Sequence, residues 1–400
     1  MDIDMNVLFI ANTFPSPDQK HVSPFNLRAV SNLKAAGVQV NVLHLRSWKP
    51  GRPVKKSYEI DGVNITAISL PFYAQLPGRL KALNILLYKK LFARQIKKVM
   101  NMRSIHVIHS VGAAHAGVVA AYLSKQWGIP HIAQCIGSDV NIVLPELSRF
   151  LGVKNFESNV DIFSANSNSL AEQAASIFPA VETAVVYRGV NTADFYPDES
   201  RRPVDEIVFT YIGGFSVVST SYGRDEKGGV TLLKAWKQVV EQADRKYKIK
   251  LLFGGPRVTA EEVISNTGMD PEALHIEVVG QVSRTQVNSL FQRSHVVIIP
   301  SMFEGLPNAG MEAAACGCAL IGSDTGGIPE IIRNGKLGIL TKPGNTEELV
   351  KAIMKMVEDD GFRNTCMALS RPFIQEKFNA AAFAPSYIAL YRKVIRNHED

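Results

Sequence analysis

The chain is predicted to be an α/β protein made of two doubly wound, Rossmann-like domains, and three observations lead there. Its 400 residues, 46% hydrophobic and 20% charged, exceed what one core holds and supply apolar material for two. Short β-branched and apolar runs alternate with longer stretches of helical periodicity, the pattern of parallel strands joined by crossover helices. Each run ends in a loop rich in Gly, Pro, Ser or Asn, the residues that break regular structure.

Taken in order, the first half offers strands at 7–11, 38–43, 107–109, 131–134, 162–165 and 184–187. The second offers strands at 207–212, 250–253, 275–279, 296–299, 319–322 and 338–340. The start, MDIDMNVLFIANTF, lacks a basic leader region and reads as a first strand; no segment reaches the ~18 apolar residues of a membrane span. Residues 188–205 hold Gly189, Asn191, Pro197 and Pro203 without apolar periodicity, which suits a linker. Phe383, Tyr387, Leu390, Tyr391 and Val394 recur at helical spacing and predict a terminal helix packing on one of the domains. The expected division is 1–190, 191–375 and a closing helical segment, 376–400. Four cysteines without a CxxC pair imply buried thiols and a reducing cytoplasm.

Charge divides the chain. Residues 1–190 carry 20 Lys and Arg against 11 Asp and Glu, the remainder 24 against 26, and no acidic residue lies between Asp61 and Asp139. No helix-turn-helix, finger or RNA-binding signature accompanies this basic stretch, so nucleic acid is not the expected partner. Residues 79–100 have helical periodicity with Ile85, Tyr88, Phe92, Ile96 and Val99 on one face and Lys90, Arg94, Lys97 and Lys98 opposite. That is either an ordinary packed helix with a solvated basic face or a surface for anionic lipid at the inner face of the membrane.

Ligands of doubly wound sheets bind beyond the carboxyl ends of the strands, and two such domains facing across a cleft would share those loops. The loop after 296–299 reads PSMFEGLPNAGMEAAACG, with Glu304 and Glu312 eight positions apart. Pro307 fits the first position of a helix that Cys316–Gly317 would end. N–H groups near Leu306, Asn308 and Ala309 would then be free for an anion such as a diphosphate. Glu312, about one turn further in, suits a vicinal diol such as a ribose, and Glu304 a sugar on the diphosphate. Two more Gly-rich loops follow strands: Tyr211–Ser216 (YIGGFS) and the loop ending GSDTGGIPEII, whose helix is expected to start at Pro329. Lys227, in Glu226-Lys227-Gly228-Gly229 ahead of a helix expected at 230–241, is a cation at a helix start. A phosphate ligand explains it; a solvated lysine is the alternative.

These motifs resemble glycosyltransferase family 4, the retaining GT-B enzymes, over nearly the whole length. The resemblance rests on EKGG at 226–229, FGGP at 253–256, VVGQV at 278–282, PSMFEGLPNAGMEAAACG at 300–317 and TGGIPEIIRNG at 325–335. In the first half AGV at 36–38, GIPHIAQCIGSDVN at 128–141 and VVYRGVNTADFYP at 185–197 match in character and order. It implies a nucleoside-diphosphate sugar as donor, held by the second domain, and a glycan or lipid-linked glycan acceptor on the first. It also implies transfer with retention and no obligatory metal. Carried over residue by residue, Glu304 touches the donor sugar and Glu312 the ribose. Lys227 neutralises the departing diphosphate, Gly213 and Gly214 let backbone approach the phosphates, and Gly255 is a further donor-binding position.

Three departures stand out. Gly214 replaces the family's usual arginine, which Arg224 would replace in turn. Ile136 stands where many relatives have a histidine, leaving Asp139 as the polar residue there, in a catalytic or a turn role. The loop NTFPSPDQKHVSPFN lacks paired glycines and resembles the surface-polysaccharide and teichuronic acid branch, with His21 and Ser23 as acceptor-side candidates. Two rivals remain on the same fold: a catalytically silent nucleotide-sugar-binding subunit and a nucleotide-sugar epimerase.

Overall fold

The computed structural model describes residues 5–17, 19, 22–47, 53, 55–70, 90–98, 100–114, 116–137, 139–140, 158–215, 225–243, 247–333 and 335–399. The chain forms two compact units, Met1–Arg188 with Ala381–Asp400 (unit 1) and Gly189–Ala380 (unit 2).

Unit 1 is built on an eight-stranded sheet. In chain order it runs β1 (Asn6–Ala11), α1 (Pro24–Ala35), β2 (Gln39–Ser47), β3 (Lys55–Ile60), β4 (Val63–Leu70) and α2 (90–98). There follow β5 (Val107–Val111), α3 (Ala116–Trp127), β6 (His131–Cys135), β7 (Ile162–Ala165), α4 (Asn168–Ile177) and β8 (Glu182–Val185). The strand order is β3-β4-β2-β1-β5-β6-β7-β8, parallel except for β3 against β4. That hairpin adds two strands to the six expected. Its turn is Asp61-Gly62, both at positive φ (50° and 72°), the two-residue connection that matches strand twist. Because the sheet is covered on both faces, β1, β5, β6 and β7 are nearly all buried; β1 is apolar after Asn6, whereas β5, β6 and β7 also bury His109, Ser110, His131, Gln134 and Ser164.

Unit 2 carries a six-stranded parallel sheet in the order β11-β10-β9-β12-β13-β14. Its elements are β9 (Ile207–Tyr211), α5 (Gly229–Ala243), β10 (Ile249–Gly254), α6 (Ala260–Thr267), β11 (Ile276–Gly280) and α7 (Arg284–Gln292). They continue with β12 (Val296–Ile299), α8 (Asn308–Ala315), β13 (Ala319–Ser323), α9 (Ile328–Ile331), β14 (Gly338–Thr341), α10 (Thr346–Glu358) and α11 (Asp360–Lys377). Fully buried Trp236 sits edge-on to Phe209 and donates its indole N–H to Leu274 O at 2.8 Å, so the core's largest side chain buries no unpaired donor. The strand order reverses between β9 and β12, the switch point at which such sheets bind ligands.

The last helix, α12 (Phe383–Glu399), belongs to unit 1. Its buried face, Phe383, Tyr387, Tyr391 and Val394, packs on Val107, Ile132, Ile162 and Val186 of the sheet. The Tyr391 hydroxyl meets His109 Nδ1 at 2.6 Å, and the Tyr387 hydroxyl meets Ser164 Oγ at 3.0 Å. The four cysteines are unpaired and buried.

Two histidines in this unit are fully buried. Burial, and then the proximity of His131, lowers His109 to about 3, and burial lowers His131 to about 4. Both are neutral in the folded chain yet take up a proton near 6.5 when unfolded, so the unfolded state binds more protons once the pH drops below 6.5. Stability is therefore fully present above 6.5 and lost on acidification, by roughly 2 kcal/mol per histidine at pH 5. Denaturation midpoints measured between pH 7.5 and 5 should fall steeply, and His131→Gln should flatten the slope; a pH-independent midpoint contradicts the assignment.

Candidate functional site

Three loops at the carboxyl ends of unit 2's strands are threaded into one another. The loop before α5 is fixed by Asp225, whose carboxylate accepts from Val230 N at 2.7 Å and Thr231 Oγ1 at 2.5 Å, capping the helix start. Gly228 follows at φ +74°, and a Cβ there would lie 1.9 Å from Pro300 O in the loop after β12. Met302 N donates back to Glu226 O at 2.9 Å. The loop after β13 closes the set: Gly326 sits at φ +55° where a Cβ would be 1.8 Å from Glu304 O, and Gly327 N donates to Gly305 O at 2.8 Å. Only glycine tolerates both the backbone conformation and the contact.

Inside this knot Lys227 Nζ lies 2.6 Å from Glu304 Oε1, which also accepts from Ser301 Oγ at 3.2 Å. The pair is partly shielded, with side-chain exposures of 34% and 17%. Tyr211, at the end of β9, is buried and donates to Gly214 O (2.7 Å), with Lys227 O also in reach (3.2 Å). Its phenol thus ties the YIGGFS loop to the lysine loop; burial, then the nearby Asp225 and Glu304 carboxylates, drives its pKa well above the usual range.

Helix α8 starts one residue later than the sequence indicated. Pro307 is its N-cap, with φ −72° and ψ 117°, because its backbone is extended and its ring offers no capping oxygen. The N–H groups of Asn308 and Ala309, in the first turn, have no carbonyl within the helix to donate to. Glu312 lies one turn further along, half-buried. Leu306 is buried just ahead. α5 likewise starts at Gly229, not Val230, and α9 at Ile328, with Pro329 second.

The glycines of the first loop are also required by packing between loops. Gly214 (φ +64°) would drive a Cβ to 2.4 Å from Pro256 O, and Gly255 (φ +120°) to 2.4 Å from Gly214 N. Gly214 N donates to Gly254 O at 3.2 Å and Gly255 N to Gly280 O at 2.7 Å. Their smallness and their N–H groups serve loop-to-loop packing. Gly213 would place a Cβ 2.5 Å from the Tyr211 hydroxyl.

In unit 1, Asp139 is buried and holds the loops after β5 and β6 together. It accepts from Ala113 N at 2.7 Å, Gly137 N at 2.8 Å and Ile136 N at 3.0 Å. Burial raises its pKa while these N–H groups pull it back down. Ile136 packs with the apolar cluster around Phe9 and Val111. Ser23 is the N-cap of α1 at φ 49° and makes no side-chain cap. His21 and Arg224 lie outside the described residues. Sequence reasoning does not single out the side chains of Asp225, Ser301 or Tyr211; an acidic residue two positions ahead of Lys227 is the one available signal for the first.

Two family models match the chain in tandem: a glycosyl transferase 4-like domain over residues 22–189 and glycosyl transferases group 1 over residues 208–371. The chain belongs to glycosyltransferase family 4. This glycosyltransferase is 25% identical to a teichuronic acid biosynthesis glycosyltransferase of Bacillus subtilis, over 98% of its own length and 99% of the relative's. It is 24% identical to the N-acetyl-α-D-glucosaminyl L-malate synthase of Bacillus anthracis, covering 78% of this chain and 81% of that one. Among solved structures it resembles sucrose-phosphate synthase from Thermosynechococcus elongatus (TM-score 0.71, 20% identity, 98% and 100% covered). It also resembles Anabaena HepE, solved with UDP and glucose (TM-score 0.67, 15% identity, 97% and 100% covered). Both of these share the GT-B fold of this glycosyltransferase.

The knot gives a direct test. Gly228→Ala should lower the denaturation midpoint of unit 2 by about 2 kcal/mol or more, because strain and a backbone clash add. Gly268→Ala, at φ +71° but with open space around it, should cost only about 1 kcal/mol. Equal losses would mean that the contact with Pro300 does not constrain the site.

Proposed function

We propose that this glycosyltransferase moves a hexosyl unit, with retention, from a nucleoside-diphosphate sugar in unit 2 to a glycan or lipid-linked glycan acceptor held by unit 1. The observation that carries the proposal is the Lys227–Glu304 pair, fixed by three interlocked loops beside the start of α8. A diphosphate at that helix start meets the amides of Asn308 and Ala309 and the Lys227 ammonium. Lys227 then exchanges Glu304 for the β-phosphate, where negative charge grows as the leaving group departs. The Glu304 carboxylate, released from the lysine, is free to accept from the donor sugar's hydroxyls, and Glu312 takes the ribose diol. Lysine and helix amides supply the positive charge, so no obligatory metal is needed in this scheme.

Asp139 is assigned a positioning role, since its oxygens are already occupied by backbone N–H groups. Ile136, apolar and packed, leaves unit 1 without an ionisable side chain at that position, which favours a second possibility, a silent nucleotide-sugar-binding subunit. Donor turnover decides. Lys227→Ala and Glu304→Gln should each lower transfer by 10²–10³-fold, in line with loss of one charge-stabilising group. Equal, background nucleotide release by wild type and Glu304→Gln across a panel of donors and acceptors would leave only the binding function.

The basic helix favours a membrane-facing acceptor. Lys90, Arg94, Lys97 and Lys98 are exposed on α2, while Phe92 and Ile96 are buried beneath. Lys97 also lies over the Trp127 ring at 5.1 Å. Among the described residues no helix is long and apolar enough to cross a membrane. Each cation near an anionic surface contributes on the order of 1 kcal/mol, so replacing all four with glutamine should release the protein from anionic vesicles at low salt. Unchanged binding removes the membrane from the scheme.

A further inference from the structure

Under α12, the face of unit 1's sheet carries polar side chains among apolar ones. Val107, Ile132, Ile162 and Val186 pack against Tyr387 and Tyr391. Side chains two residues further along each chain point the same way, which gives His109, Gln134, Ser164 and Arg188, with Asn166 a step beyond. In the register His109 lies opposite Ile132, while Gln134 lies opposite Val111 and Ser164, so the polar side chains are staggered along the sheet; Val186 N donates to Ala165 O at 2.8 Å. The α12 tyrosines satisfy His109 Nδ1 and Ser164. Four solvent-shielded atoms of this face, His109 Nε2, Gln134 Nε2, Asn166 Oδ1 and Arg188 Nη2, make no hydrogen bond of good geometry, although the Gln134 amide lies close enough to His109 to interact with it. His109, Gln134 and Asn166 are 0%, 2% and 3% exposed.

Arg188 decides the chemistry. One face of its guanidinium rests on Phe25 at 4.2 Å, and it lies within electrostatic reach of Tyr387, Asp139 and Arg28. The Asp139 carboxylate, the acidic member of that set, is committed to the amides of Ala113, Ile136 and Gly137. A shielded guanidinium nitrogen without a counter-ion is costly, and guanidinium matches carboxylate and phosphate oxygens in geometry. We propose that unit 1 carries a binding site for a sugar acid or sugar phosphate, its anionic group on Arg188 and its neighbouring hydrogen-bonding groups on Asn166, Gln134 and His109. Calling that ligand the acceptor rests on the function proposed above; the anion site itself does not.

The test is a titration of the full chain, at constant ionic strength, with D-glucuronate, D-glucose 6-phosphate and neutral D-glucose. A Lys227→Gln background silences the donor-side cation. At least one anionic sugar should bind tenfold or more tighter than glucose, and the two arms tell carboxylate from phosphate. Arg188→Gln should reduce the anions to the level of glucose. Asn166→Asp supplies an internal counter-ion, so it should hold the fold and abolish the preference even if Arg188→Gln does not fold. No preference in the Lys227→Gln protein, or a preference that survives Asn166→Asp, overturns the proposal. Nucleoside-diphosphate binding, tested with Lys227 intact, should be unaffected by Arg188→Gln and lost with Lys227→Gln. Its persistence in the latter would defeat the donor assignment and leave the Arg188 site standing.

Discussion

Two backbone contacts that no side chain could survive, Gly228 on Pro300 O and Gly326 on Glu304 O, hold the candidate site together. Loops are ordinarily the least constrained parts of a fold, and a lysine and a glutamate on separate loops would lose rotamer entropy on pairing. Here the backbones are locked first, by positive φ at both glycines and by the Met302–Glu226 and Gly327–Gly305 hydrogen bonds. The Lys227–Glu304 pair therefore forms between groups already brought to 2.6 Å, with Ser301 and Tyr211 bracing it from below. Pre-organisation of this kind is what a site for a developing charge requires.

The fold was legible because parallel strands buried on both faces are largely apolar, as the runs at 7–11 and 296–299 are. The hairpin β3–β4 escaped because β3 is the edge strand of the sheet: Lys55, Lys56 and Ser57 are exposed, so its apolar signal was half-strength. Asp61-Gly62 announced the turn all the same. The E-x7-E loop and Lys227 were legible because a carboxylate pair and a cation beside a helix start are local in sequence. Asp225 and Tyr211 were not, since their work is a helix cap and a bond between two loops. The glycines show the limit most sharply: at Gly214 and Gly255 the sequence reveals that bulk is forbidden, and only the fold reveals that the forbidding neighbours are each other's loops.

The terminal helix makes a similar point in unit 1. Periodicity at 383–394 identifies an apolar face but not its partner, and the pairing depends on contacts nearly three hundred residues away, such as Tyr391 with His109. Those contacts set the chemistry beneath the helix. Two tyrosine hydroxyls suffice for His109 Nδ1 and Ser164 but not for the other polar side chains of this face, whose groups lie nearer the strand ends. A purely structural cluster would be expected to satisfy itself, because half-satisfied buried networks are less favourable than apolar cores.

The two units handle their cations in opposite ways. In unit 2 Lys227 already has an internal counter-ion, so under the proposed donor scheme a diphosphate would displace Glu304 to reach it, and the displaced carboxylate would gain a partner only when a sugar accompanies the phosphate. A bare nucleotide would leave Glu304 charged and without its lysine, so on that scheme the pair would discriminate against ligands that bring phosphate alone. In unit 1 the Asp139 carboxylate, which acts on Arg188 electrostatically, is held by three amides, and among the described residues Arg188 Nη2 has no hydrogen-bond partner. On the proposed reading the counter-charge at Arg188 comes from the ligand, which gives the excess of positive charge in the first half of the sequence a consequence beyond a basic surface.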